Sequence, residues 1–372
     1  MRAQHLKYLN LQENEDGLVK LRVSLPDGGT KEIEINKDFK TGSSDLTEEE
    51  YQRFTLRTFD FSTPQTLIFD VTGGLGDFII VLETILTLQR EIASQKAADF
   101  EFITVMPDGK LQRFRRLLTA LSIFDRIVSK EKPSDWNPKY PTQHMRASPE
   151  GARPAYLYMG SFWQFLWANW GIPGRCENPE ALITHGSVQA LLTEEYPKIA
   201  RQLNLPESGQ FVLFCPDAYS MKDNKSWPVE YWLDLTKQAA AHDDLNIIVN
   251  STDTTFDEHF QSLPNVTRFD RMLDVVGLAS IIHSAKCVVS VDSGPAHLAG
   301  TLKTPCISLW GPTTPLIHGH RNNHNLRVSS CPPCYAGQRS RLCIDNVCMK
   351  EITSDSIFIL LERTLDGIYH PQ

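Results

Sequence analysis

Apolar residues recur at every second position in two segments near the N-terminus. LVKLRVSL places its Val and Leu residues on one face of an extended chain, PDGGT follows as a turn, and KEIEIN repeats the alternation. This pattern on both sides of a glycine-containing turn predicts a β-hairpin. We therefore expect residues 1–62 to form a small β-rich extension, in which SSD (43–45) offers caps for a helix over LTEEEYQRF.

From Gln65 onward, short apolar runs alternate with amphipathic stretches. The first series contains the predicted strands TLIFDV, FEFITVM and FDRIVSK and the predicted helices FIIVLETILTLQREI and LQRFRRLLTAL. The second contains the strands FVLFCP, LNIIVNS, CVVSVD and CISLWG and the helices WPVEYWLDLTKQAAAH, MLDVVGLASIIHSA and PAHLAGTL. Repeated strand–helix units predict parallel sheets covered by helices. Two such series predict two doubly wound α/β domains that face each other across a cleft, with a loop region over 131–155 between them.

Composition narrows the class of protein. The chain has 372 residues, of which 41% are hydrophobic and 22% charged, and its formal net charge is -8. It lacks the basic stripe of a nucleic-acid-binding protein, and no apolar run approaches the roughly 20 residues that cross a bilayer. MRAQHLKYLNLQENEDG lacks the long apolar core of a signal peptide, so we expect a cytoplasmic protein. Because disulfides are rare in that compartment, clustered cysteines are considered first as metal ligands.

The glycine turn GGLGD (73–77) follows the first strand of the first series. Gly74 and Gly76 would allow backbone N–H groups to approach an anionic ligand. A dinucleotide fingerprint needs a third glycine where Ile79 stands, which argues against a nicotinamide enzyme. Asp77 has two interpretations that the residues alone leave open. It is either a cap of the following helix or a general base that deprotonates an acceptor hydroxyl.

The loop CPDAYSMKDNKSWP follows the first strand of the second series and carries two lysines. Ligands of doubly wound sheets bind at the carboxyl ends of the strands. Lys222 and Lys225 could there neutralise a diphosphate, or they could lie in a solvated loop.

VDSGPAH forms another junction between a strand, a turn and a helix. Its backbone amides and the Ser293 hydroxyl could contact phosphate oxygens at a helix N-terminus. Asp292, Gly294 and His297 share this turn, so we interpret it as a phosphate cradle, although a lone histidine is often structural.

CPPCYAGQRSRLCIDNVC contains four of the eight cysteines, Cys331, Cys334, Cys343 and Cys348. Four thiolates can form a closed tetrahedral site of the structural kind for zinc or iron. The spacing is not that of a standard zinc finger, and two disulfides or reduced thiols are the alternatives.

Aromatic residues are concentrated in YLYMGSFWQFLWANWG. Trp163, Trp167 and Trp170 fall on one face of a predicted helix. This stripe is interpreted as core, with a sugar-stacking platform or an oligomer contact as alternatives.

Taken together, GGLGD, KSWP, VDSGPAHLAGTLKTPCISLWGPTTP and the cysteine cluster running into CMKEIT resemble glycosyltransferase family nine, the ADP-heptose heptosyltransferases of bacterial surface polysaccharide synthesis. The resemblance covers about residues 65–365. It implies the GT-B arrangement of two Rossmann-like domains. The acceptor domain would be 63–195, the nucleotide-sugar domain with the cysteine cluster 196–352, and a C-terminal helix within 353–372 would cross back to the first domain.

The resemblance also implies roles for individual residues. Asp77 matches the family's catalytic base, which activates an acceptor hydroxyl for direct displacement with inversion and without a catalytic metal or other cofactor. Lys225 matches a lysine that contacts the phosphates of the ADP-sugar donor. The remaining donor-binding positions are Gly74, Gly76, Asp292, Ser293, Gly294 and His297.

The sequence departs from the family pattern after LNIIVN. Ser251 and Thr252 replace a glycine-rich turn there, and Glu258 is the candidate for the adenosine contact. The extension and the cysteine cluster resemble the subgroup that heptosylates autotransporter proteins on serine and holds a cysteine-bound iron. The acceptor is therefore lipopolysaccharide or a protein, and homo-oligomerisation stays open. A nucleotide-sugar epimerase of the same fold and a non-catalytic nucleotide-sugar-binding or assembly protein are the competing functions.

Overall fold

The structure is a computed structural model of the chain. It describes residues 8–13, 18–24, 30–36, 59–71, 73–95, 98–132, 137–146, 161–174, 176, 178–206, 210–242, 245–260, 262–328, 331, 343 and 345–367. Within these ranges, no helix combines the length and the apolar character that a bilayer crossing needs.

The N-terminal extension contains a three-stranded antiparallel sheet made of β1 (Tyr8–Glu13), β2 (Leu18–Ser24) and β3 (Thr30–Asn36). β2 and β3 pair with Val19 opposite Ile35, which confirms the predicted hairpin. β1, which the sequence pattern did not predict, adds to the other edge of β2. The predicted helix over LTEEEYQRF lies outside the described residues.

The first α/β unit is a four-stranded parallel sheet with the strand order β6-β5-β4-β7. Its strands are β4 (Gln65–Asp70), β5 (Phe100–Met106), β6 (Arg126–Ser129) and β7 (Thr142–Arg146). Its helices are α1 (Leu75–Ser94), α2 (Asp108–Leu121) and α3 (Phe162–Asn169). The elements from β4 to β6 confirm the first predicted series.

The predicted loop over 131–155 was wrong where β7 lies. This strand pairs in parallel with β4 at the edge of the sheet. Met145 is buried, whereas Thr142 and His144 are exposed. An edge strand of this kind has no apolar run, so the hydrophobic pattern did not reveal it.

The tryptophan stripe belongs to the core, as predicted. Trp163, Trp167 and Trp170 are 6%, 4% and 2% exposed. Trp170 packs edge-on against Phe69 of β4, with 5.5 Å between the ring centroids. These indoles therefore stabilise the first unit and leave little surface for stacking on a sugar.

The second α/β unit is a six-stranded parallel sheet with the order β10-β9-β8-β11-β12-β13. The strands are β8 (Phe211–Cys215), β9 (Asn246–Asn250), β10 (Val266–Phe269), β11 (Cys287–Val291), β12 (Cys306–Leu309) and β13 (Asn323–Leu326). The helices are α4 (Gly186–Leu203), α5 (Lys222–Lys225), α6 (Val229–Ala240), α7 (Thr255–Phe260), α8 (Val275–Ser284), α9 (Gly294–Leu302), α10 (Pro315–His318), α11 (Val347–Lys350) and α12 (Ser354–Leu365).

Both faces of this second sheet are buried. Along β8, Phe211 and Leu213 join one hydrophobic cluster and Val212 and Phe214 join the other. A strand that is covered on both faces is apolar throughout, which is why FVLFCP was readily predicted. β10 and β13 were not predicted, because each is short and only partly buried.

The structure bears on two expectations, the domain boundary after residue 195 and the place of the C-terminal helix. The predicted boundary after residue 195 falls inside the continuous helix α4, which packs against α2 of the first unit and α8 of the second. The C-terminal helix α12 packs on α6, β11 and β12. Its Ile357 and Leu361 are buried in the hydrophobic cluster that also contains Val212 and Phe214 of β8. The apolar face of α12 is thus covered by the second unit, whereas residues 368–372 lie outside the described residues and the crossing back to the first domain stays a prediction.

The two units are joined by close packing of α1 on α9. A Cβ atom on Gly76 would lie 2.8 Å from His297 Nε2 and closer still to Cδ2, and one on Gly294 would lie 2.6 Å from Leu75 Cδ2. Only glycine allows the two helices to approach this closely. This contact brings together the two glycine turns that the sequence analysis singled out.

Candidate active site

The strand orders explain where the polar loops meet. In the second sheet the order reverses between β8 and β11, and in the first between β4 and β7. Connections leave such neighbouring strands toward opposite faces, and the crevice between them is the usual ligand site of an open α/β sheet. Lys225 follows β8, Asp292 follows β11 and Asp77 follows β4. All three predicted positions therefore lie at switch points.

Lys225 and Asp292 form a buried ion pair at the switch point of the second sheet. The two residues are 8% and 4% exposed, and Lys225 Nζ lies 2.7 Å from Asp292 Oδ2. The Thr313 hydroxyl donates to the same carboxylate, and His297 Nε2 lies 3.7 Å from Oδ1. Burial by itself would raise the pKa of Asp292, but Lys225 and His297 lower it below the usual value. Asp292 is therefore an ionised carboxylate at neutral pH.

The turn after β11 opens the helix α9. Ser293 is the N-cap residue, with an extended backbone and no capping bond from its side chain, and its Oγ lies 3.2 Å from Ser290 Oγ. The Gly294 amide lies at this helix N-terminus, directly after Asp292 and Ser293, whereas Pro295 has no N–H and the Ala296 N–H donates to the Ser293 carbonyl at 3.1 Å. A helix N-terminus with an adjacent cation is suited to bind phosphate oxygens.

Asp77 is both a capping residue and a half-buried acid at the start of α1. Its Oδ2 accepts a hydrogen bond of 2.9 Å from the Gly74 amide. Gly73 has φ +99°, and a Cβ atom there would lie 2.6 Å from Asp77 Oδ2. Lys110 of α2 donates to the Gly73 carbonyl. The glycine turn and Lys110 thus fix the carboxylate, and the capping interpretation is correct without excluding the base.

His318 ends the short helix α10, which follows β12 at the same edge of the second sheet as Asp292. Burial lowers the pKa of His318 to about 4, while the charges of Asp292 and Asp77 act in the opposite direction. Sequence analysis missed His318 and Thr313, although both lie in WGPTTPLIHGH directly after β12, at the same edge of the sheet.

The loop after β9 is organised by an acid that the sequence analysis did not select. Asp217 accepts hydrogen bonds from Ser251 Oγ at 3.0 Å and from the Thr252 amide at 2.8 Å. The Asp217 carboxylate thus fixes the turn after β9, in which Ser251 and Thr252 stand in place of glycines. Glu258, the predicted adenosine contact, is exposed on α7. β9 ends at Asn250, and Asp253 lies in the loop that follows it.

Asp253 lines a cavity of about 370 Å³ together with Asp217, Lys222 and Trp227. Hydrogen bonds from Thr255 lower the pKa of Asp253, and the charge of Lys222 adds to this effect. Lys222 is therefore part of a charged cavity wall, whereas Lys225 points away to Asp292. The loop 216–228 thus contributes Lys222 to the cavity and Lys225 to the ion pair with Asp292, and neither Lys225 nor Asp292 lines the cavity.

The described residues do not assemble the predicted metal site. Cys331 and Cys343 are half-buried, and buried Cys348 has its Sγ 3.6 Å from Asn346 Oδ1. Among the residues that the structure describes, no three Cys, His, Asp or Glu side chains gather in a way that could hold a metal ion. Cys334 lies outside the described residues, so the four-cysteine site stays a prediction.

Comparison with known proteins agrees with the predicted fold. Residues 166–344 match the family model of glycosyltransferase family 9 (heptosyltransferase). Lipopolysaccharide heptosyltransferase 1 of Escherichia coli K12 is 32% identical over 125 residues, which cover 32% of this chain and 38% of the relative. The chain thus matches less than half the length of this relative.

Two solved structures share the fold. ADP-heptose lipopolysaccharide heptosyltransferase II of E. coli has a TM-score of 0.57 at 16% identity, over 82% of this chain and 99% of that one. The iron-containing dodecameric glycosyltransferase TibC of enterotoxigenic E. coli has a TM-score of 0.54 at 13% identity, over 94% of this chain and 83% of that one. The fold is therefore of the predicted GT-B type, and residues 166–344 match the model of glycosyltransferase family 9.

Proposed function

We propose that the chain is an inverting glycosyltransferase that moves a heptose or a related sugar from an ADP-activated donor to an acceptor hydroxyl. The proposal is carried by one observation, the close approach of two turns. The first is GGLGD, which carries the proposed base Asp77, and the second is the turn from Asp292 to His297, named here the donor turn. Gly76, the residue before Asp77, contacts His297 so closely that no side chain fits between them. A base and a phosphate-binding helix N-terminus that meet in this way are what a single-displacement transfer requires.

In the proposed reaction, an Asp77 carboxylate oxygen takes the proton of the acceptor hydroxyl. The acceptor oxygen forms a bond to the anomeric carbon, and the bond from that carbon to the diphosphate oxygen breaks. The electron pair leaves with ADP. The Gly294 amide at the start of α9 and the Lys225 ammonium stabilise the departing diphosphate, and no metal ion takes part in these steps.

In this reaction the Lys225 ammonium would contact the donor phosphates while it also pairs with the Asp292 carboxylate. Because its Nζ already pairs with Asp292, its charge is oriented by the protein before the donor arrives. Such preorganisation favours the transition state, since the cation needs no rearrangement as charge develops on the leaving group. Asp292 therefore acts by positioning Lys225.

For the nucleoside we propose Asp253 in place of Glu258. Its carboxylate lies in the loop at the carboxyl end of β9, beside the cavity that Trp227 and Phe256 also line. Carboxylates at such strand ends commonly accept hydrogen bonds from ribose hydroxyls. Asp253→Asn would weaken ADP binding, whereas Glu258→Gln would leave it unchanged.

Asp77→Asn tests the proposed base. The purified variant and the wild type are incubated with ADP-heptose, with and without acceptor, and ADP release and sugar transfer are followed. We expect transfer to fall by about 10²–10⁴-fold while ADP-heptose still raises the melting temperature of the variant. Unchanged transfer by Asp77→Asn would refute the base. Conversion of the donor without any acceptor would identify an epimerase instead.

The acceptor is proposed to be lipopolysaccharide or a serine of a protein. The first is supported by the name of the E. coli relative, and the second by the likeness of the fold to TibC over 94% of the chain. Separate assays with heptose-deficient lipopolysaccharide and with an autotransporter fragment distinguish them. Since TibC is described as iron-containing and dodecameric, we also propose a cysteine-bound structural metal and a homo-oligomer, to be tested by metal analysis and light scattering.

A further inference from the structure

Glu83 is a buried acid in the middle of α1 that the proposed chemistry does not use. It is 2% exposed, and the Trp163 indole N–H donates to its Oε2 at 2.7 Å. Burial raises the pKa of Glu83 to about 8, although hydrogen bonds from Thr301 and Trp163 act in the other direction. The carboxyl group is therefore protonated at neutral pH. A buried acid of this kind is costly to keep, and it is therefore a candidate for a functional role.

His320 connects Glu83 to the second domain. Its Nδ1 lies 3.7 Å from Glu83 Oε1, and its ring packs edge-on against Trp163 with 5.1 Å between centroids. A Cβ atom on Gly300 of α9 would lie 2.9 Å from His320 Cδ2 and closer still to Cγ, so the imidazole rests directly on the helix backbone. Burial lowers the pKa of His320 well below its usual value, and His297 adds to this effect. Glu83 and His320 are thus a neutral pair.

His297 extends these contacts to the donor turn. Its ring centroid lies 5.3 Å from that of His320, and its Nε2 lies 3.7 Å from Asp292 Oδ1. The chain of contacts therefore runs from Glu83 through the two imidazoles to Asp292, which holds Lys225. It begins on the helix that carries Asp77 and ends on the groups proposed to bind the diphosphate.

We propose that Glu83 and His320 are positioning residues that hold His297 against Asp292 and so set the geometry of the donor turn from the first domain. The proposal rests on the proposed function, because it assigns a role in binding the ADP-sugar. It goes beyond that function by making the acceptor-side helix α1 part of the donor site. Neither residue contacts the donor in this scheme, and both act through His297.

A purely structural polar cluster would be expected to satisfy its hydrogen bonds. Here His297 Nδ1 and His320 Nε2 are buried without a hydrogen-bond partner among the described protein atoms. Unpartnered buried nitrogens reduce stability. The arrangement therefore favours the placement of the imidazole rings over stability, as functional sites commonly do.

Glu83→Gln and His320→Asn in the full chain test the proposal. The first removes a titratable group almost without a change of shape, and the second removes the ring that contacts His297. Glu101→Gln is the matched control, because Glu101 is also a buried acid of the first unit, paired there with Arg126 and Thr66. Each variant is measured for ADP affinity by calorimetry, for donor and acceptor KM and kcat, and for thermal unfolding.

We expect both test variants to bind ADP about tenfold more weakly and to raise the donor KM by a similar factor, with the acceptor KM unchanged. Glu101→Gln should change only the melting temperature. The pH dependence adds a second readout. The wild type should lose ADP affinity above about pH 8, as Glu83 ionises, and Glu83→Gln should not. The other titratable groups that face Glu83 are His320 and Cys176, whose thiol pKa burial raises to about 12, outside this range.

The outcomes separate this proposal from the proposed function. If the wild type binds ADP but transfers no heptose, the function is wrong, and the ADP affinities of Glu83→Gln and Glu101→Gln still decide the positioning role. If the wild type transfers heptose and Glu83→Gln and His320→Asn keep wild-type donor KM and ADP affinity, the positioning role is wrong. If one test variant fails to fold, the other decides. A wild type that binds neither ADP nor ADP-heptose overturns both.

Discussion

Lys225 Nζ lies 2.7 Å from Asp292 Oδ2, and this contact joins the loop after β8 to the turn after β11 across the switch point of the second sheet. Both residues are buried, and the Thr313 hydroxyl donates to the same carboxylate. The pair is therefore part of the architecture of the crevice as well as a source of charge for a ligand. Its two roles can be separated, because stability and donor binding are measured independently.

Removing one partner of the Lys225–Asp292 pair should lower the free energy of unfolding by more than removing both partners. Lys225→Met leaves the Asp292 carboxylate buried and unpaired, and we expect the free energy of unfolding to fall by about 3–5 kcal/mol. Asp292→Asn in addition removes the stranded charge, so the double variant should be more stable than the two single costs predict. Urea unfolding of the wild type, both single variants and the double variant measures the coupling. Additive costs would show that the two residues do not stabilise each other.

Much of this arrangement could be predicted from the sequence, because each element has a local signal. Strands such as β8 are apolar throughout, and glycines mark the turns before α1 and α9. Asp77, Lys225 and Asp292 each follow a predicted strand. Since the carboxyl ends of parallel strands meet at one edge, the sequence places them in the same region.

The rest depends on contacts between distant segments. His318 and Thr313 follow β12, and no local pattern shows that they turn toward Asp292. Asp253, which we propose for the nucleoside contact, had no distinguishing signal in the sequence, because only the fold shows that it lines the cavity. One signal was available and was not used. FIIVLETILTL has apolar residues all around the helix and Glu83 as its single ionisable residue, so Glu83 must be buried with them.

The contact between the two glycine turns predicts a sharp difference between two Gly→Ala variants. At Gly76 the new Cβ would overlap the His297 ring, lying 2.8 Å from Nε2, so we expect a loss of about 1–3 kcal/mol in the free energy of unfolding and impaired transfer. Gly109 lies in the first turn of α2, and a Cβ atom added there would have no neighbouring atom within 4 Å. Gly109→Ala should therefore be neutral or stabilise by up to about 1 kcal/mol. Urea unfolding and the transfer assay test both, and equal effects would contradict the close approach.

A second junction between the units is electrostatic. Arg116 of α2 donates to Glu195 of α4 at 2.8 and 2.5 Å and to Asp274, the N-cap of α8, at 3.1 Å. The Arg116 side chain is 42% exposed, so solvent weakens these pairs. We expect Arg116→Gln to cost about 1 kcal/mol at low salt and less in about 1 M NaCl, where the screening length is about 3 Å. The exposed neighbour Arg115 is the control, since Arg115→Gln should show neither the cost nor the salt dependence.

The four-cysteine prediction is tested by metal analysis of the purified full chain. A closed site of four thiolates should retain about one equivalent of zinc or iron per chain through purification. Cys331→Ser and Cys343→Ser should lose the metal, whereas Cys306→Ala, in the buried strand β12, should keep it. A folded protein without metal would show that these thiols are reduced and unligated or form disulfides, which thiol titration distinguishes.

Glu83 makes stability depend on pH in a direction opposite to that of most acids. Its pKa is about 8 in the folded protein and about 4.5 when exposed. Between these values the unfolded chain has released the proton and the folded chain has not, so rising pH favours unfolding. The free energy of unfolding should therefore fall across this window by up to about 1.4 kcal/mol per pH unit relative to Glu83→Gln. Below and above the window the two curves should run parallel.

Glu101, in the same α/β unit, should make stability depend on pH in the opposite direction to Glu83. Burial would raise the pKa of Glu101, but hydrogen bonds from Thr66 and Lys139 and the charge of Arg126 lower it below the usual value. Its contribution to stability is present above about pH 4.5 and is lost as the pH falls through the folded pKa. Urea unfolding between about pH 3 and 9, at steps on the order of one unit, measures both effects. Glu101→Gln should differ from the wild type at acidic pH, and Glu83→Gln should differ from it at neutral pH. Parallel curves for Glu83→Gln and the wild type across the neutral range would mean that Glu83 is already ionised in the folded protein over this range.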